Sequence, residues 1–527
     1  MKKIFITLAV LSAFNLSAQK RKARVNLKSA KKSEMRTFTS SSSIEKVKPT
    51  KDTTVKKGEH KGLLWEIKGN GLTKTSYLYG TMHVSGRIAY HLGEEFFAGL
   101  NSVDAIALES NPIIWLDEIV NSRYADNYLG RYGIQNQVYR GFYKKAFEVD
   151  VPKDKNYASA LSSNHYLANW MLYRENARNK EFEEDTFLDM FIYQAGSKNN
   201  KPVYSLEEFE QSRVFSMMSQ IPDVEKKETS EWYKKLTKEK GYYEILEDAY
   251  RDQDLDMLDS LQKETSSKNN MKYMLYMRNR IMADNIDSIT QAGTSLFIGI
   301  GAAHLANEQG VIGMLRKMGY SVEPATRTIS DKAKKEKERL SKLKRPLPFS
   351  NTFNNEFFTL KVPGTVYETP GSDYERQFFS PELTNGTFYT LRVISNYAFF
   401  NGTQDVDYKS KIDSLLFENI PGKIESKKDV VNNGYNGIDI VNKTKSGDYQ
   451  RYQIYFTPTH IMIFKMGGKH DFVKQESDKF FGSLELTPLT SRWVTTSPIK
   501  NDFSVDVPSY HHIKGNTKVT SMYSHPE

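Results

Sequence analysis

The sequence predicts an α/β N-terminal domain with a central mixed sheet and a large helical insertion, followed by a separate α+β domain with an antiparallel sheet. Three observations support this fold class. The chain has 527 residues, too many for one ordinary core. Short apolar runs alternate with long stretches of helical spacing in its first half. Aromatic and β-branched runs separated by turn residues fill its second half.

The N-terminus, residues 1–19, has the layout of a secretory signal peptide. Two lysines precede an apolar run, and the small residues Ser17 and Ala18 follow that run. The run is too short to span a bilayer as a stable helix. We therefore expect an exported protein that is secreted or periplasmic, with no transmembrane segment.

Positive charge is concentrated in two segments of the chain. Residues 20–58 contain 13 Lys+Arg and three acidic residues, which predicts a disordered basic tether. Residues 331–345 contain eight basic and three acidic residues. The whole chain has a net charge of +10, so the remainder, without these segments and the two lysines of the leader, sums to −7. We therefore expect no nucleic-acid partner, and at most a weak contact of the tether with an anionic envelope surface.

The α/β domain is predicted over residues 59–328. It opens with a hairpin, because Gly69-Asn70-Gly71 separates two apolar runs. Four short apolar runs are typical of strands covered on both faces; they are 77–80, 105–108, 203–206 and 295–300. The stretches with helical spacing between them are 158–177, 181–194, 207–220 and 242–291. Single strands that alternate with long helical regions indicate an α/β domain.

The α+β domain is predicted over residues 349–490, after a basic linker helix at 329–348. Its aromatic and β-branched runs favour an antiparallel sheet, and we expect helices at 407–418 and 476–482. Its opening Val-Pro strand and a closing helix with Phe480 and Phe481 resemble PsbP-like domains. That resemblance implies an accessory binding or docking unit.

An internal similarity marks the C-terminal segment. Residues 354–363, NNEFFTLKVP, are echoed by residues 500–508, KNDFSVDVP. Such an echo indicates either a strand reused within one fold or the beginning of a repeat. We expect residues 491–527 to be the start of a second, truncated repeat.

Four polar side chains follow the predicted strands of the α/β domain. His83 and His304 each end a Gly-x-x-His motif, and Glu109 and Glu207 each follow a strand directly. The ligand site of an open α/β sheet lies beyond the carboxyl ends of its strands. We therefore expect both imidazoles and both carboxylates to converge on one rim.

This set of side chains suits hydrolysis by an activated water molecule. The chain has no cysteine, so thiolate ligands and a cysteine nucleophile are excluded. Imidazole and carboxylate can hold a divalent ion that lowers the pKa of a bound water, and a nearby carboxylate can take the proton. Two alternatives stay open: a metal-free hydrolase with histidine as the general base, and a non-catalytic protein that binds a peptide or small ligand.

The strand context distinguishes these motifs from chance matches. A third Gly-x-x-His motif ends at His470 in the α+β domain, where we expect a structural turn. His91 and His165 have no such glycine, and we interpret both as structural.

Five motifs, in order, resemble the TraB/GumN family, which is related to the Tiki proteases. They are GTMH (80–83), ALES (107–110), YSLEEFEQ (204–211), MRNRIMADNI (277–286) and FIGIGAAHLANEQGVIGMLRKMGY (297–320). The match covers about residues 62–325 and implies a metal-dependent hydrolase that acts on a peptide or protein. We expect the metal to be Mn²⁺, Co²⁺ or Zn²⁺. The implied metal-site or catalytic residues are His83, Glu109 and His304; the implied supporting site residues are Glu207, Arg278 and Asn279.

Overall fold

The structure is a computed structural model. It describes residues 60–82, 89–121, 152–162, 172, 186–223, 228–369, 374–396, 406–445, 447–488, 493–497, 503–508, 512–514 and 522–524. The predicted signal peptide and basic tether lie outside the described residues, as do His83 and His165. In the part of the chain that is described, no helix is both long and apolar enough to cross a membrane.

A six-stranded mixed sheet forms the centre of the N-terminal domain. Its strands are β1 (Leu64–Gly69), β2 (Ser76–Thr81), β3 (Ala105–Leu108), β4 (Val203–Ser205), β5 (Leu296–Gly301) and β6 (Tyr320–Pro324). The order is β4-β3-β5-β2-β1-β6. The first four of these are parallel, and β1 is antiparallel to both of its neighbours. The carboxyl ends of β2, β3, β4 and β5 therefore meet at one edge of the sheet.

The strands lie where the apolar runs of the sequence predict them. Every residue of β3 is buried, and β5 is buried as far as Ile300, because a parallel sheet is covered on both faces. The predicted hairpin joins β1 to β2, with positive φ angles of 78°, 48° and 82° at Gly69, Asn70 and Gly71. Glycine and asparagine are the residues that adopt this backbone region at low cost.

Eleven named helices precede the C-terminal domain in the described ranges. They are α1 (Glu94–Ser102), α2 (Pro112–Asn121), α3 (Asp154–Leu161), α4 (Leu188–Lys198), α5 (Phe209–Ser219), α6 (Glu231–Glu239), α7 (Tyr242–Arg251), α8 (Leu255–Thr265), α9 (Met277–Gln291), α10 (Val311–Lys317) and α11 (Asp331–Lys342). The short helix Lys268–Asn270 and a π-helical segment, Met271–Tyr276, lead into α9.

The long helical stretch predicted at 242–291 is therefore divided. Gln253 has a positive φ of 56°, and the Asp254 carboxylate accepts a hydrogen bond from the Met257 backbone N–H at 2.9 Å. Asp254 is the N-cap of α8, and such a cap separates one helix from the next.

A seven-stranded antiparallel sheet forms the C-terminal domain, with strand order β12-β13-β14-β15-β11-β10-β9. Its strands are β9 (Tyr367–Thr369), β10 (Glu375–Glu382), β11 (Thr387–Ser395), β12 (Lys423–Asn432), β13 (Tyr435–Lys443), β14 (Tyr449–Phe456) and β15 (His460–Gly467). A separate three-stranded sheet contains β7 (Asn351–Asn354), β8 (Phe358–Val362) and β16 (Glu485–Leu486). The predicted fold class, an α/β domain followed by an α+β domain, is confirmed.

Two helices complete the C-terminal domain: α12 (Tyr408–Asn419) and α13 (Phe472–Phe481). Helix α13 packs on the sheet face that includes Phe464, and α12 packs on the opposite face, which includes Ile463. Beyond them, β17 (Trp493–Thr496) pairs with β18 (Val505–Pro508), and β19 (His512–Lys514) pairs with β20 (Met522–Ser524). The echoed segment thus forms the second strand of an antiparallel pair in both places. That it begins a repeat stays a prediction.

The two sheets share an interface built by α3 and α4. Leu161 of α3 accepts a hydrogen bond from the Tyr452 hydroxyl at 3.0 Å and lies in one apolar cluster with Ile463. Gln194 of α4 donates to the Leu383 carbonyl at 3.0 Å. Residues of the first domain therefore cover part of the seven-stranded sheet.

Candidate functional site

The carboxyl edge of the parallel strands carries the predicted polar side chains. Glu109 follows β3, Glu207 lies shortly after β4, and His304 ends a 3₁₀ turn, Ala302–His304, that follows β5. Arg278 and Asn279 reach this edge from the first turn of α9. The structure thus brings together all the predicted site residues that it describes.

Arg278 lies buried between two glutamates. Its Nε is 2.7 Å from Oε1 of Glu207, and its Nη2 is 2.8 Å from Oε2 of the same carboxylate. The Nη2 is also 2.9 Å from Oε2 of Glu109. Because Arg278 is only 2% exposed, these bonds act in a dry environment, where charge-assisted bidentate contacts are strong.

The charges of this group depend on one another. Burial raises the pKa of Glu207, and the Arg278 charge opposes that rise. Burial lowers the pKa of Arg278, but attraction to Glu207 and Glu109 outweighs burial, so the net shift is upward. The Ser212 hydroxyl donates to Oε2 of Glu207 at 2.9 Å. Glu207 is therefore occupied by the arginine and the serine, which suits a positioning role.

Glu109 reaches across to the neighbouring strand β5. Its Oε1 accepts a hydrogen bond from the Gly301 backbone N–H at 2.6 Å. A Cβ atom at position 301 would stand 3.1 Å from that oxygen and 3.5 Å from Cδ2 of His304. Glycine at 301 therefore leaves the room that this carboxylate fills, which explains the first residue of the second Gly-x-x-His motif.

The first residue of the other motif, Gly80, lies against the same turn. A Cβ atom there would be 3.2 Å from the Cα and Cβ of Ala302 and 3.2 Å from the Leu305 side chain. The two motifs are thus in contact through Gly80 and Ala302, since β2 and β5 are neighbours in the sheet. His83, three residues after Gly80, lies outside the described residues.

Asn279 sets the tautomer of His304. The asparagine Nδ2 donates to the Gln309 carbonyl at 2.8 Å, so its Oδ1 faces the imidazole, 2.6 Å from Nδ1. An amide oxygen only accepts, so Nδ1 carries the hydrogen. Nε2 of the neutral ring then has the lone pair, and it lies 3.9 Å from Oε1 of Glu109.

His304 and Glu109 fit as two ligands of one divalent ion. Bonds of about 2.0 to 2.2 Å let an ion contact two donor atoms up to about 4.4 Å apart, and Nε2 and Oε1 are 3.9 Å apart. Among the described residues, no group of three His, Cys, Asp or Glu side chains could hold a metal. The third predicted ligand, His83, is not among them.

Sequence reasoning missed three helical residues that support the site: Tyr250, Asp189 and Ser212. Tyr250 of α7 donates to the Gly80 carbonyl at 2.9 Å, and Thr81 donates to Oδ1 of Asp189 at 2.7 Å. Ser212 of α5 binds Glu207, as described above. All three support residues lie on helices whose apolar spacing gave no signal of a site, and only the tertiary contacts identify them.

The third Gly-x-x-His motif lies elsewhere in the molecule. His470 is in the turn between β15 and α13, with a positive φ of 54°. Its backbone N–H donates to the Asp448 carboxylate at 2.7 Å. This histidine therefore belongs to a turn in the other domain, and it supplies a control for experiments on His304.

Comparisons with known proteins identify the first domain. No curated protein matches the chain. Nine chains of solved structures match, among them a crystal structure from Bacteroides thetaiotaomicron VPI-5482 that is 13% identical, with a TM-score of 0.19. The match covers 29% of this chain and 54% of that chain, so it spans about half of that protein's length. Residues 63–324 match the model of the TraB/PrgY/gumN family, and the α/β domain of this chain therefore belongs to that family.

Proposed function

We propose that the protein is a divalent-metal-dependent hydrolase that cleaves peptide bonds at the carboxyl edge of the six-stranded sheet. The arrangement of His304 carries this proposal. Asn279 fixes the imidazole so that Nε2 has the lone pair, and Nε2 lies 3.9 Å from a Glu109 oxygen. A fixed imidazole beside a carboxylate is the ligand chemistry that a hydrolytic metal ion requires.

The residues that would hold the ion are His304, Glu109 and His83. We expect Mn²⁺, Co²⁺ or Zn²⁺. When bound, the ion supplies a water molecule of lowered pKa and an electrophile for the substrate carbonyl. Membership of the family supports this assignment, since these three residues occupy the motifs through which the sequence resembles it.

Arg278 and the two glutamates are arranged so that one carboxylate lies beside His304, where a reacting water would bind. Arg278 allows Glu109 and Glu207 to lie close together, because its charge offsets the repulsion between two carboxylates. Glu109 is held by Arg278 and by the Gly301 N–H, and it stands beside Nε2 of His304. Where no ion is bound, it is the described carboxylate best placed to accept a proton from water at this edge.

A metal-exchange assay tests the proposal. The protein without residues 1–19 is stripped of metal, supplied with Mn²⁺, Co²⁺ or Zn²⁺, and incubated with a mixed peptide library that is analysed by mass spectrometry. Cleavage is expected with at least one ion. His304→Asn should reduce it by about 100-fold or more, whereas His470→Asn, the same change in the third motif, should retain it. Equal cleavage by His304→Asn and the wild type with every ion would refute the site.

A metal-free hydrolase is the second candidate function, and the fixed tautomer of His304 favours it too. With Nδ1 bound to Asn279, Nε2 can act directly as a general base for water. This mechanism predicts activity that survives complete chelation and is lost in His304→Asn. Activity that is lost on chelation and regained with an ion excludes it.

Export completes the proposal. Residues 1–19 have the pattern of a signal peptide, and we propose a secreted or periplasmic protein whose basic residues 20–58 touch anionic envelope surfaces weakly. Sequencing the N-terminus of the protein recovered outside the cytoplasm should find a start near Lys20. Recovery of only the uncleaved chain, inside the cell, would contradict export.

A further inference from the structure

A buried lysine lies at the centre of the seven-stranded sheet. Lys465, on the middle strand β15, is 0% exposed. Among the described residues, none accepts a hydrogen bond from its Nζ. The rings of Tyr452 and Phe388 lie 4.8 and 5.7 Å from that atom. Cation–π contacts offset only a small part of the cost of removing an ammonium group from water.

A second buried cation lies diagonally opposite on the same face. Strands β11 and β15 pair with Thr390 opposite Lys465 and Arg392 opposite Ile463, so Arg392 and Lys465 are diagonal neighbours. Arg392 is 6% exposed, and its Nη1 has no hydrogen-bond partner among the described residues. Burial lowers the pKa of Lys465 to about 7, and the charge of Arg392 adds to that shift.

The nearby carboxylate compensates these charges only in part. Oε1 of Glu375 lies 3.2 Å from Nε of Arg392, but this oxygen accepts no hydrogen bond in the described part of the chain. Burial also raises the pKa of Glu375, which disfavours its charged form. The Lys465 cluster, which is Lys465, Arg392 and Glu375, therefore has more hydrogen-bond donors than its one carboxylate satisfies.

We propose that the Lys465 cluster binds a small oxyanion, a phosphate or a carboxylate, between the seven-stranded sheet and the α/β domain. The two donors that lack a partner in the described structure, Nζ of Lys465 and Nη1 of Arg392, hydrogen-bond to its oxygens. The rings of Tyr452 and Phe388 lie beside Nζ of Lys465, and this side chain is closed off from water. This face is covered by α3, through the bond of the Tyr452 hydroxyl to Leu161. The bound anion therefore stabilises the packing of one domain on the other.

Binding to so closed a site is measured best through stability. The full chain in phosphate-free buffer is melted in phosphate, acetate or chloride at equal ionic strength. A ligand that binds only the folded state raises the Tm, so we expect a Tm several degrees higher in phosphate or acetate than in chloride. The anion with the larger rise identifies whether phosphate or carboxylate is the preferred ligand.

The variant Lys465→Met separates this site from the exposed basic segments. It should abolish the anion-dependent rise and should melt higher than the wild type in chloride, because methionine fills similar volume without a charge. Lys474→Met, at a lysine of α13 whose side chain is 48% exposed, should keep the rise. The proposal is overturned if the wild type melts at one temperature in all three salts, or if Lys465→Met keeps the rise.

A calorimetric titration uses only the wild-type protein. It therefore tests the proposal even if the Lys465→Met variant does not fold. Inorganic phosphate and acetate are titrated separately at constant ionic strength. Saturable binding of one anion per chain is expected for at least one of them. The absence of saturable binding for both overturns the proposal.

Discussion

Arg278 is the residue on which the geometry of the candidate site depends most. It contacts both Glu109 and Glu207; Arg278 and Glu207 are buried, and the Glu109 side chain is 13% exposed. Two carboxylates that both contact one guanidinium group are close enough to repel each other when the cation between them is removed. A contact that stabilises the fold therefore also sets the position of the carboxylate beside His304.

The variant Arg278→Met should destabilise the protein by about 3–5 kcal/mol, because it leaves the buried Glu207 and the half-buried Glu109 without a charged partner. Urea unfolding measures the change as a lower midpoint at an unchanged slope. The control is Arg280→Met, two residues along the same helix, where the arginine is 67% exposed and pairs with Asp284. That change should stay within about 0.5 kcal/mol. Equal midpoints for the two variants would show that Arg278 does not hold the carboxylates.

Asn279 offers a test of the ligand assignment that does not depend on turnover. The variant Asn279→Leu removes the acceptor that keeps hydrogen on Nδ1 of His304, so it should weaken Co²⁺ or Zn²⁺ binding by about 10–100-fold. Titration of the metal-free protein measures this affinity. Gln291→Leu, at the other end of α9, should bind metal like the wild type. If Asn279→Leu also binds like the wild type, His304 is not a ligand.

Two elements carry most of the site residues. The turn after β5 carries His304, and helix α9 carries Arg278 and Asn279. The π-helical segment Met271–Tyr276 runs directly into α9, and the Met274 carbonyl lies 3.5 Å from Nη1 of Arg278. A π-helical turn is uncommon and frequently occurs at functional sites. A π-helical turn changes the direction in which the following side chains point around the helix axis. Here it precedes the first turn of α9, in which Arg278 and Asn279 are buried at the sheet edge.

Adding one methyl group at position 301 tests whether the turn after β5 holds Glu109 in the position that cleavage requires. Gly301→Ala places a Cβ atom 3.1 Å from Oε1 of Glu109, so the carboxylate must move away from the Gly301 N–H. Peptide cleavage should fall by about tenfold or more, since small misplacements at a reacting centre are costly. Gly241→Ala is the control, because a Cβ there meets nothing within 4 Å. Unchanged cleavage by Gly301→Ala would show that Glu109 need not hold this position.

The molecule as a whole is stabilised by the interface between its two sheets, and the charge of Lys465 affects that interface. The pKa of this lysine is lowered from 10.5 to about 7, mainly by burial. Its neutral form is therefore favoured in the folded protein. The unfolded chain binds the extra proton between these two pKa values, so stability falls as the pH is lowered from about 10.5 to about 7. Below that range this lysine adds no further dependence.

Urea unfolding at several pH values between 7 and 10.5 in phosphate-free buffer tests this linkage. Lys465→Met should remove the part of the slope that the lysine causes, and should gain most over the wild type near pH 7. Lys474→Met should follow the wild type at every pH. Identical slopes for Lys465→Met and the wild type would contradict a buried lysine with a lowered pKa.

The sequence was sufficient for the fold class and for the part of the site that follows strand ends. Glu109 and His304 were predictable because parallel strands place their carboxyl ends together. Arg278 and Asn279 were identified only through the resemblance to a family. Tyr250 and Asp189 could not be predicted, because their contacts depend on how distant helices pack. Lys465 was missed for another reason: in an aromatic, β-branched strand, one lysine is usually taken as solvent-facing.

The position of β5 has a consequence for the protein during its synthesis. This strand lies between β2 and β3 in the sheet, yet it is made only after the whole helical insertion. A nascent chain that ends before Leu296 lacks both the middle of the sheet and His304. Glu109 and His304 therefore cannot come together at the sheet edge until the last part of the domain has been translated. The proposed site thus cannot assemble on a ribosome-bound chain before β5 and the turn after it have been made.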